Sequence, residues 1–235
     1  MNMMEMFKES EYSSISPETL LGRPLNEIEF KYAPEKLYVN GSMKIPLPRP
    51  RVSIIGSRKA SQQGLEAAET ITRTLLEKQT VIVSGLAEGI DTVAHQTAIK
   101  VGGKTIAVLG TPINKVYPRK NFALQQEIMN KHLAVSQFPI GHSTRPKDFV
   151  IRNRTMALIS DATVIVEAGN TSGSLHQGWE TIRLGRLLFI CKHVFENIQL
   201  SWPEKMSQYG AMKLSDPSDI FDFLPSHVEV IGVFQ

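Results

Sequence analysis

Six short stretches of mainly apolar residues punctuate the middle of the chain, at 52–56, 80–84, 104–109, 133–137, 163–167 and 187–191. Each is strand length, rich in Val, Ile and Leu, and bounded by glycine or polar residues. This pattern predicts strands buried on both faces. Between them, apolar positions recur at helical spacing over 61–77, 88–101, 121–131, 149–160 and 174–185. In the last of these, Leu175, Trp179 and Ile182 fall near one face. Strict alternation of strand and helix predicts an α/β fold, a doubly wound and mostly parallel sheet with helices on both faces.

The flanks read differently. Residues 1–50 lack this alternation and end in the proline cluster Ile45-Pro46-Leu47-Pro48-Arg49-Pro50, so they read as an irregular lead-in. Residues 51–195 form the core. Residues 196–235 form a tail that packs on it, and Ser215-Asp216-Pro217-Ser218-Asp219-Ile220 reads as a capped short helix start.

In a doubly wound sheet, ligands bind beyond the carboxyl ends of the strands. Three predicted strand ends carry small-residue turns: Gly56-Ser57-Arg58-Lys59, Ser84-Gly85-Leu86-Ala87-Glu88-Gly89, and Gly169-Asn170-Thr171-Ser172-Gly173-Ser174. Free backbone N–H groups and a helix dipole at such a turn favour an anion. Gly56, Gly85, Ser172, Gly173 and Ser174 are therefore candidate phosphate contacts, with Ser57 beside them. Arg58 offers a planar fork to phosphate, and Lys59 adds charge. The alternative for the first turn is an ordinary strand–helix connection with solvated cations.

Net charge is only +3 over 235 residues, which permits a nucleic-acid partner without demanding one. Placement is more telling. Lys115, Arg119, Lys120, Arg145, Lys147, Arg152 and Arg154 all fall in or beside predicted loops. In Arg145-Pro146-Lys147-Asp148-Phe149-Val150-Ile151-Arg152-Asn153-Arg154, cations surround Phe149 at a helix start, where they oppose the dipole. An anionic ligand explains that placement; ion pairs with Asp148 and Asp161 are the alternative. Tyr117-Pro118-Arg119-Lys120 repeats the aromatic-plus-cation theme.

Several chemistries find little support. Asp91 and His95 share a helix face at i,i+4 and suit acid–base work, but no nucleophile lies near them, and a structural lock between loop and helix is the preferred reading. Gly102-Gly103-Lys104-Thr105 imitates a P-loop end but lacks the earlier glycine, so it reads as a turn. The six histidines show no metal-ligand spacing, so no metal, cofactor or catalytic residue is assigned. The single cysteine, Cys191, fits a reducing compartment. With no signal peptide at the start and no apolar run long enough to span a bilayer, a cytoplasmic location away from membranes is expected.

Ile55-Gly56-Ser57-Arg58, Ser84 through Asp91 with Ala94-His95, Ile106 through Gly110, Tyr117-Pro118 with Asn121, Phe149 with Arg152-Asn153-Arg154, and Ser172-Gly173-Ser174-Leu175 occur in that order. Together they resemble the DprA/Smf DNA-processing family over about residues 33–225. The resemblance implies an extended Rossmann-like core that binds single-stranded DNA, forms a homodimer and helps load a RecA-type recombinase. It implies that Arg58, Lys147 and Phe149 line the DNA pocket. Three places depart from the family pattern: Gln137 for a glutamate, His176-Gln177-Gly178 after the Gly-Ser-Leu, and Lys192-His193 for Pro-Gly. Two rival functions use the same turns. One is a sensor of small nucleotides. The other is a nucleoside-monophosphate N-glycosidase, against which Glu180 stands nearly a helical turn beyond the expected position.

Overall fold

The computed structural model describes residues 12–224. The chain start read as lacking a signal peptide, and the end of the tail, lie outside the described residues. In chain order the elements are β1 (Ser13–Ile15), α1 (Pro17–Leu21), α2 (Glu27–Tyr32), β2 (Leu37–Gly41), β3 (Arg51–Gly56), α3 (Gln62–Glu77), β4 (Val81–Ser84), α4 (Ile90–Lys100), β5 (Thr105–Leu109), α5 (Phe122–Lys131), β6 (Leu133–Ser136), α6 (Pro146–Ile159), β7 (Ala162–Glu167), α7 (Ser174–Arg183), β8 (Leu187–Cys191), α8 (Lys192–Phe195), α9 (Trp202–Ser207) and β9 (Met212–Leu214). Single 3-10 turns lie at Arg119–Asn121 and Pro217–Asp222, the second capped by the Asp216 side chain as the sequence predicts.

Among the described residues, the strands form one sheet in the order β1-β2-β6-β5-β4-β3-β7-β8-β9. Strands β3, β4, β5, β7, β8 and β9 pair in parallel with their neighbours, as does β6 with β5, while β2 runs antiparallel to β6 and β1 to β2. This is the expected doubly wound, mostly parallel fold. Winding proceeds outward from β3 through β4, β5 and β6, then returns across β3 to β7 and β8. The reversal places a crevice beyond the carboxyl end of β3.

Alternate residues of each strand face opposite layers. Ile55, Val83, Val108 and Ile165 pack with Leu20 of α1 and Met156 and Ile159 of α6. Ile54, Ile82 and Val164 pack on the other side with Ile71 and Leu75 of α3 and Ala94 of α4. Ala107 and Ala134 meet Leu124 and Ile128 of α5. Each fully buried Val, Leu, Ile or Met side chain here contributes about 1.5–3 kcal/mol.

Two sequence expectations need correction. Helix α6 begins at Pro146, three residues before the expected start. Proline suits the first helical position, and the Asp148 carboxylate accepts the Arg145 N–H at 2.7 Å, which closes that end. The lead-in is also not irregular, because residues 12–50 supply β1, α1, α2 and β2. Ser16 caps α1, and Asn26 with Glu29 forms a reciprocal capping box on α2. These elements have three to six residues, too few to show a period.

The lead-in also builds an ionic layer under the amino ends of the central strands. Glu29 is fully buried. It receives two hydrogen bonds from the Arg23 guanidinium, at 2.7 Å each, and a further contact from Arg186. Asp161 accepts from Arg49 Nη2 at 2.6 Å and from the Arg51 N–H at 2.8 Å. Burial raises the Glu29 pKa, but the hydrogen bonds from Arg23 and the Asn26 N–H, with the charges of Arg186 and Arg23, together outweigh it, so the carboxyl titrates below its ordinary value. Burial lowers Arg51 to about 10.

Candidate functional site

The carboxyl ends of β3 to β7 surround a cleft of about 890 Å³. The β3 loop supplies Gly56, Ser57, Arg58 and Lys59; the β7 turn supplies Ser172, Gly173 and Ser174; the start of α6 supplies Arg145, Phe149 and Arg152. Lys115 and Tyr117 come from the loop after β5.

An aromatic stack forms one wall. The Phe149 and Tyr117 rings lie 5.1 Å apart between centroids, and the Arg58 guanidinium sits 5.7 Å from the Phe149 ring. Phe149 is half-buried and Tyr117 is exposed. Gly110 lets Phe149 lie this low, since a Cβ there would come within 2.4 Å of its ring. Arg58, Lys59, Lys115 and Arg145 are exposed, and among the described residues none of the four forms an ion pair.

Arg152 does different work from that expected of a phosphate contact. Its guanidinium is buried, and Nη1 donates to Gly85 O at 2.5 Å and Val108 O at 2.6 Å. It ties the ends of β4 and β5 together beneath the cleft. Burial lowers its pKa, opposed by the Asp91 charge. Gly85 is correspondingly engaged on both sides, since its N–H donates to Asp91 Oδ2 at 3.1 Å. A Cβ at 85 would lie 2.0 Å from Arg152 Nη1. This glycine admits an arginine and has no N–H left for a phosphate.

Asp91 also accepts the Ala87 N–H at 3.3 Å, so it locks loop to helix. Burial raises its pKa against these bonds and Arg152. His95 instead meets Thr105 Oγ1 at 2.7 Å, and burial lowers its pKa to about 3. The two share a helix face, yet each holds a different partner.

The turn before α7 is partly self-satisfied. Ser174 N–H donates to Ser172 Oγ at 3.3 Å, and Ser174 Oγ donates to Gly56 O at 3.0 Å. Leu175 and His176 N–H groups bond within the turn. Gly173 is exposed at the rim, with open space where a Cβ would go.

Three expected contacts stand outside the cleft walls. Arg154 points to α7, where its Nε lies 3.3 Å from Glu180 Oε1. Arg119 is exposed in its 3-10 turn, and Lys147 is exposed on the first turn of α6. Lys115, Arg145, Asn153 and Gln177 also line the cleft; of these, Gln177 is the one the sequence does not mark for ligand contact. Lys115 and Arg145 were legible as loop cations. Gln177 stood among the departures from the family pattern. Among the described residues, no group of three or more His, Cys, Asp or Glu could hold a metal ion.

The model of the family described as DNA recombination-mediator protein A matches residues 4–225. The chain belongs to that family. It is 40% identical over 166 residues to DNA processing protein DprA of Streptococcus pneumoniae, covering 71% of this chain and 58% of that protein. It is 30% identical over 192 residues to DprA of Bacillus subtilis, covering 82% of this chain and 65% of that one. The chain thus spans roughly three-fifths of the length of these relatives. Among solved structures, DprA of Helicobacter pylori superposes with a TM-score of 0.75 at 26% identity, over 90% of this chain and 94% of that one. That structure is described as giving insight into the single-stranded DNA binding mode of the Helicobacter protein. A molybdenum cofactor binding protein from Rippkaea orientalis shares the fold alone, at 17% identity and a TM-score of 0.55. Among the described residues, no helix is long and apolar enough to cross a membrane.

Proposed function

We propose that the cleft binds single-stranded DNA and performs no chemistry on it. The observation that carries this reading is the Arg58–Phe149–Tyr117 stack on one wall of a cleft rimmed by cations that, among the described residues, have no carboxylate partner. Aromatic faces accept unstacked bases, and long cations track the backbone. In a duplex the bases are already stacked and leave the rings unused. The likeness to the Helicobacter protein supports the same reading.

In this reading Arg58, Lys59, Lys115 and Arg145 neutralise phosphates, while Phe149 and Tyr117 hold a base. Gly56 and Ser57 shape the turn under Arg58, and Ser172, Gly173 and Ser174 form the opposite rim. Lys147 and Arg119 add charge outside the walls. The chain works in the cytoplasm as a homodimer and hands its strand to a RecA-type recombinase. Against the N-glycosidase alternative, Glu180 is held between Arg154 and Arg183, at 3.3 and 3.0 Å, away from the cleft.

Fluorescence anisotropy with labelled single strands and duplexes at several salt concentrations tests the proposal. Single strands should bind more tightly, with affinity falling steeply as salt rises. Equal duplex affinity, or affinity flat with salt, defeats it. Light scattering checks the dimer, and nucleotide incubation followed by chromatography checks for turnover.

A further inference from the structure

At the α7 end of the cleft, one polar group has no partner. Gln177 is fully buried, yet among the described residues neither its Oε1 nor its Nε2 has a hydrogen-bond partner. Its own helix does not use the carboxamide, although Thr181 Oγ1 donates to the Gln177 backbone carbonyl at 2.9 Å. The residue nevertheless lines the cleft, beside Asn153 and Ser174. Its neighbour Asn153 behaves as buried amides ordinarily do. Asn153 Nδ2 donates to Gly173 O, and Oδ1 accepts from Arg152 Nε, both at 3.1 Å. A second orphan, Thr144 Oγ1, lies in the same cleft.

Buried carboxamides are almost always paired, because stranding both halves is costly. Gln177 therefore faces a partner that arrives with the ligand. A phosphate does not fit this description, since it would satisfy Nε2 and repel Oε1. A group presenting a donor beside an acceptor does. Every unpaired nucleobase has an edge of that form, and the match a glutamine carboxamide commonly makes is adenine N6 with N7, which is what commits the choice to adenine.

We propose that Gln177 is a specificity-determining residue that pairs with the edge of one base, adenine in preference to the pyrimidines, entering the cleft at its α7 end. This rests on the single-strand reading of the cleft and adds base preference at one nucleotide position. The cations and the aromatic stack stay indifferent to sequence. The same base chemistry comes from a DNA strand or from a free nucleotide, and the measurement separates the two.

The test compares oligo-dA, oligo-dT and oligo-dC binding by the wild type, Gln177→Met and Gln177→Asn. The wild type should favour oligo-dA by roughly tenfold, the factor one bidentate base contact supplies. Gln177→Met should bring oligo-dA down to the oligo-dT affinity with the salt slope unchanged. Its melting temperature should hold or rise, because an unpaired amide has gone. Gln177→Asn, shorter by one methylene, should lose the preference as well. Competition with AMP and TMP identifies the source. Displacement by AMP far below the matching concentration of oligo-dA nucleotides assigns the pocket to a free adenine nucleotide. Weak displacement assigns it to the strand. Equal wild-type affinity for all three oligomers, or a preference that survives in Gln177→Met, overturns the proposal while leaving single-strand binding intact. Failure of the wild type to bind any single strand, with AMP binding retained, overturns the DNA reading and keeps base recognition. Loss of both ends both. Should Gln177→Met not fold, the wild-type side-chain amide resonance decides the matter. It must shift with AMP or oligo-dA and stay still with oligo-dT.

Discussion

The two ends of the sheet are both rich in arginine and differ in what the arginines meet. At the amino ends, Arg23, Arg49, Arg51 and Arg186 close around Glu29 and Asp161. At the carboxyl ends, Arg58, Lys59, Lys115 and Arg145 stand at the cleft with no ion-pair partner among the described residues, since the lining carboxylate, Asp91, is taken by the Gly85 and Ala87 N–H groups. Cations gathered without acids leave a field that only an external anion can neutralise. Cations gathered around buried acids leave a brace. Charge counting sees the two alike, so the distinction lies wholly in partners. Arg152 is the instructive exception, because it sits at the binding end and behaves like the brace.

The largest expected effect breaks the brace. Glu29→Ala leaves Arg23 and Arg186 without their shared carboxylate, and removing one partner of a buried pair costs about 3–5 kcal/mol. Urea denaturation should show that loss, while the folded fraction binds DNA as the wild type does. Because the folded Glu29 titrates below its ordinary value, its contribution is present above the unfolded carboxylate pKa of about 4.3 and fades as pH falls through the folded value. Loss of DNA affinity by the folded variant would show that the two ends are coupled.

A second effect is read by pH. His95 is buried against Thr105, the first residue of β5, with its pKa lowered to about 3. The unfolded chain takes up this proton near pH 6.5 and the folded chain does not. Stability should therefore be complete above pH 6.5 and fall below it by about 1.4 kcal/mol per unit. Unfolding free energies from urea titrations at pH 7.5 and 5.5 should differ by roughly that amount in the wild type and much less in His95→Gln. An equal drop in both proteins would place the proton elsewhere.

Much of this molecule is legible in its sequence. Strands buried on both faces read as unbroken Val, Ile and Leu runs, so β3 to β8 fall within one residue of expectation at each end. Helices α3 to α7 are long enough to show a period. The lead-in is hidden for the opposite reason: β1, β2, α1 and α2 are short, and their partners lie far along the chain, as Val39 with Val135. Site residues divide the same way. Gly56, Arg58 and Phe149 follow from strand ends and loop composition. Arg152 and Gly85 do not, because a guanidinium that grips a carbonyl 67 residues away looks like any loop cation until the chain is folded.

The third effect separates stacking from charge within the cleft. Phe149→Ala should weaken single-strand binding by about 1–3 kcal/mol with little change in salt slope, since stacking releases no counterions. Arg58→Ala should lower the slope by about one contact. Its stability should stay within about 0.5 kcal/mol, because among the described residues Arg58 holds no ion pair. Phe149 also packs on Gly110 and Tyr117, so some thermal stability should go with it. If stability falls and the folded remainder binds DNA at full strength, Phe149 belongs to the core and not to the ligand.

The smallest effect concerns Lys147, which the family resemblance puts in the DNA pocket and the fold puts outside its walls. It is exposed on the first turn of α6, two residues beyond Arg145, which does line the cleft. A cation there opposes the helix dipole, so Lys147→Ala should stabilise the protein slightly, by about 0.3–1 kcal/mol. Exposed charges within a Debye length of about 8 Å still attract a strand, so some affinity should be lost. A charge that never touches a phosphate releases fewer counterions than one that does. The salt slope should therefore fall by less than in Arg58→Ala or Arg145→Ala, measured side by side by anisotropy from low to moderate salt. A full one-contact drop in slope for Lys147→Ala, with none for Arg145→Ala, would mean that the strand runs over the outer face of α6. The boundary between cleft and rim would then have to be redrawn there.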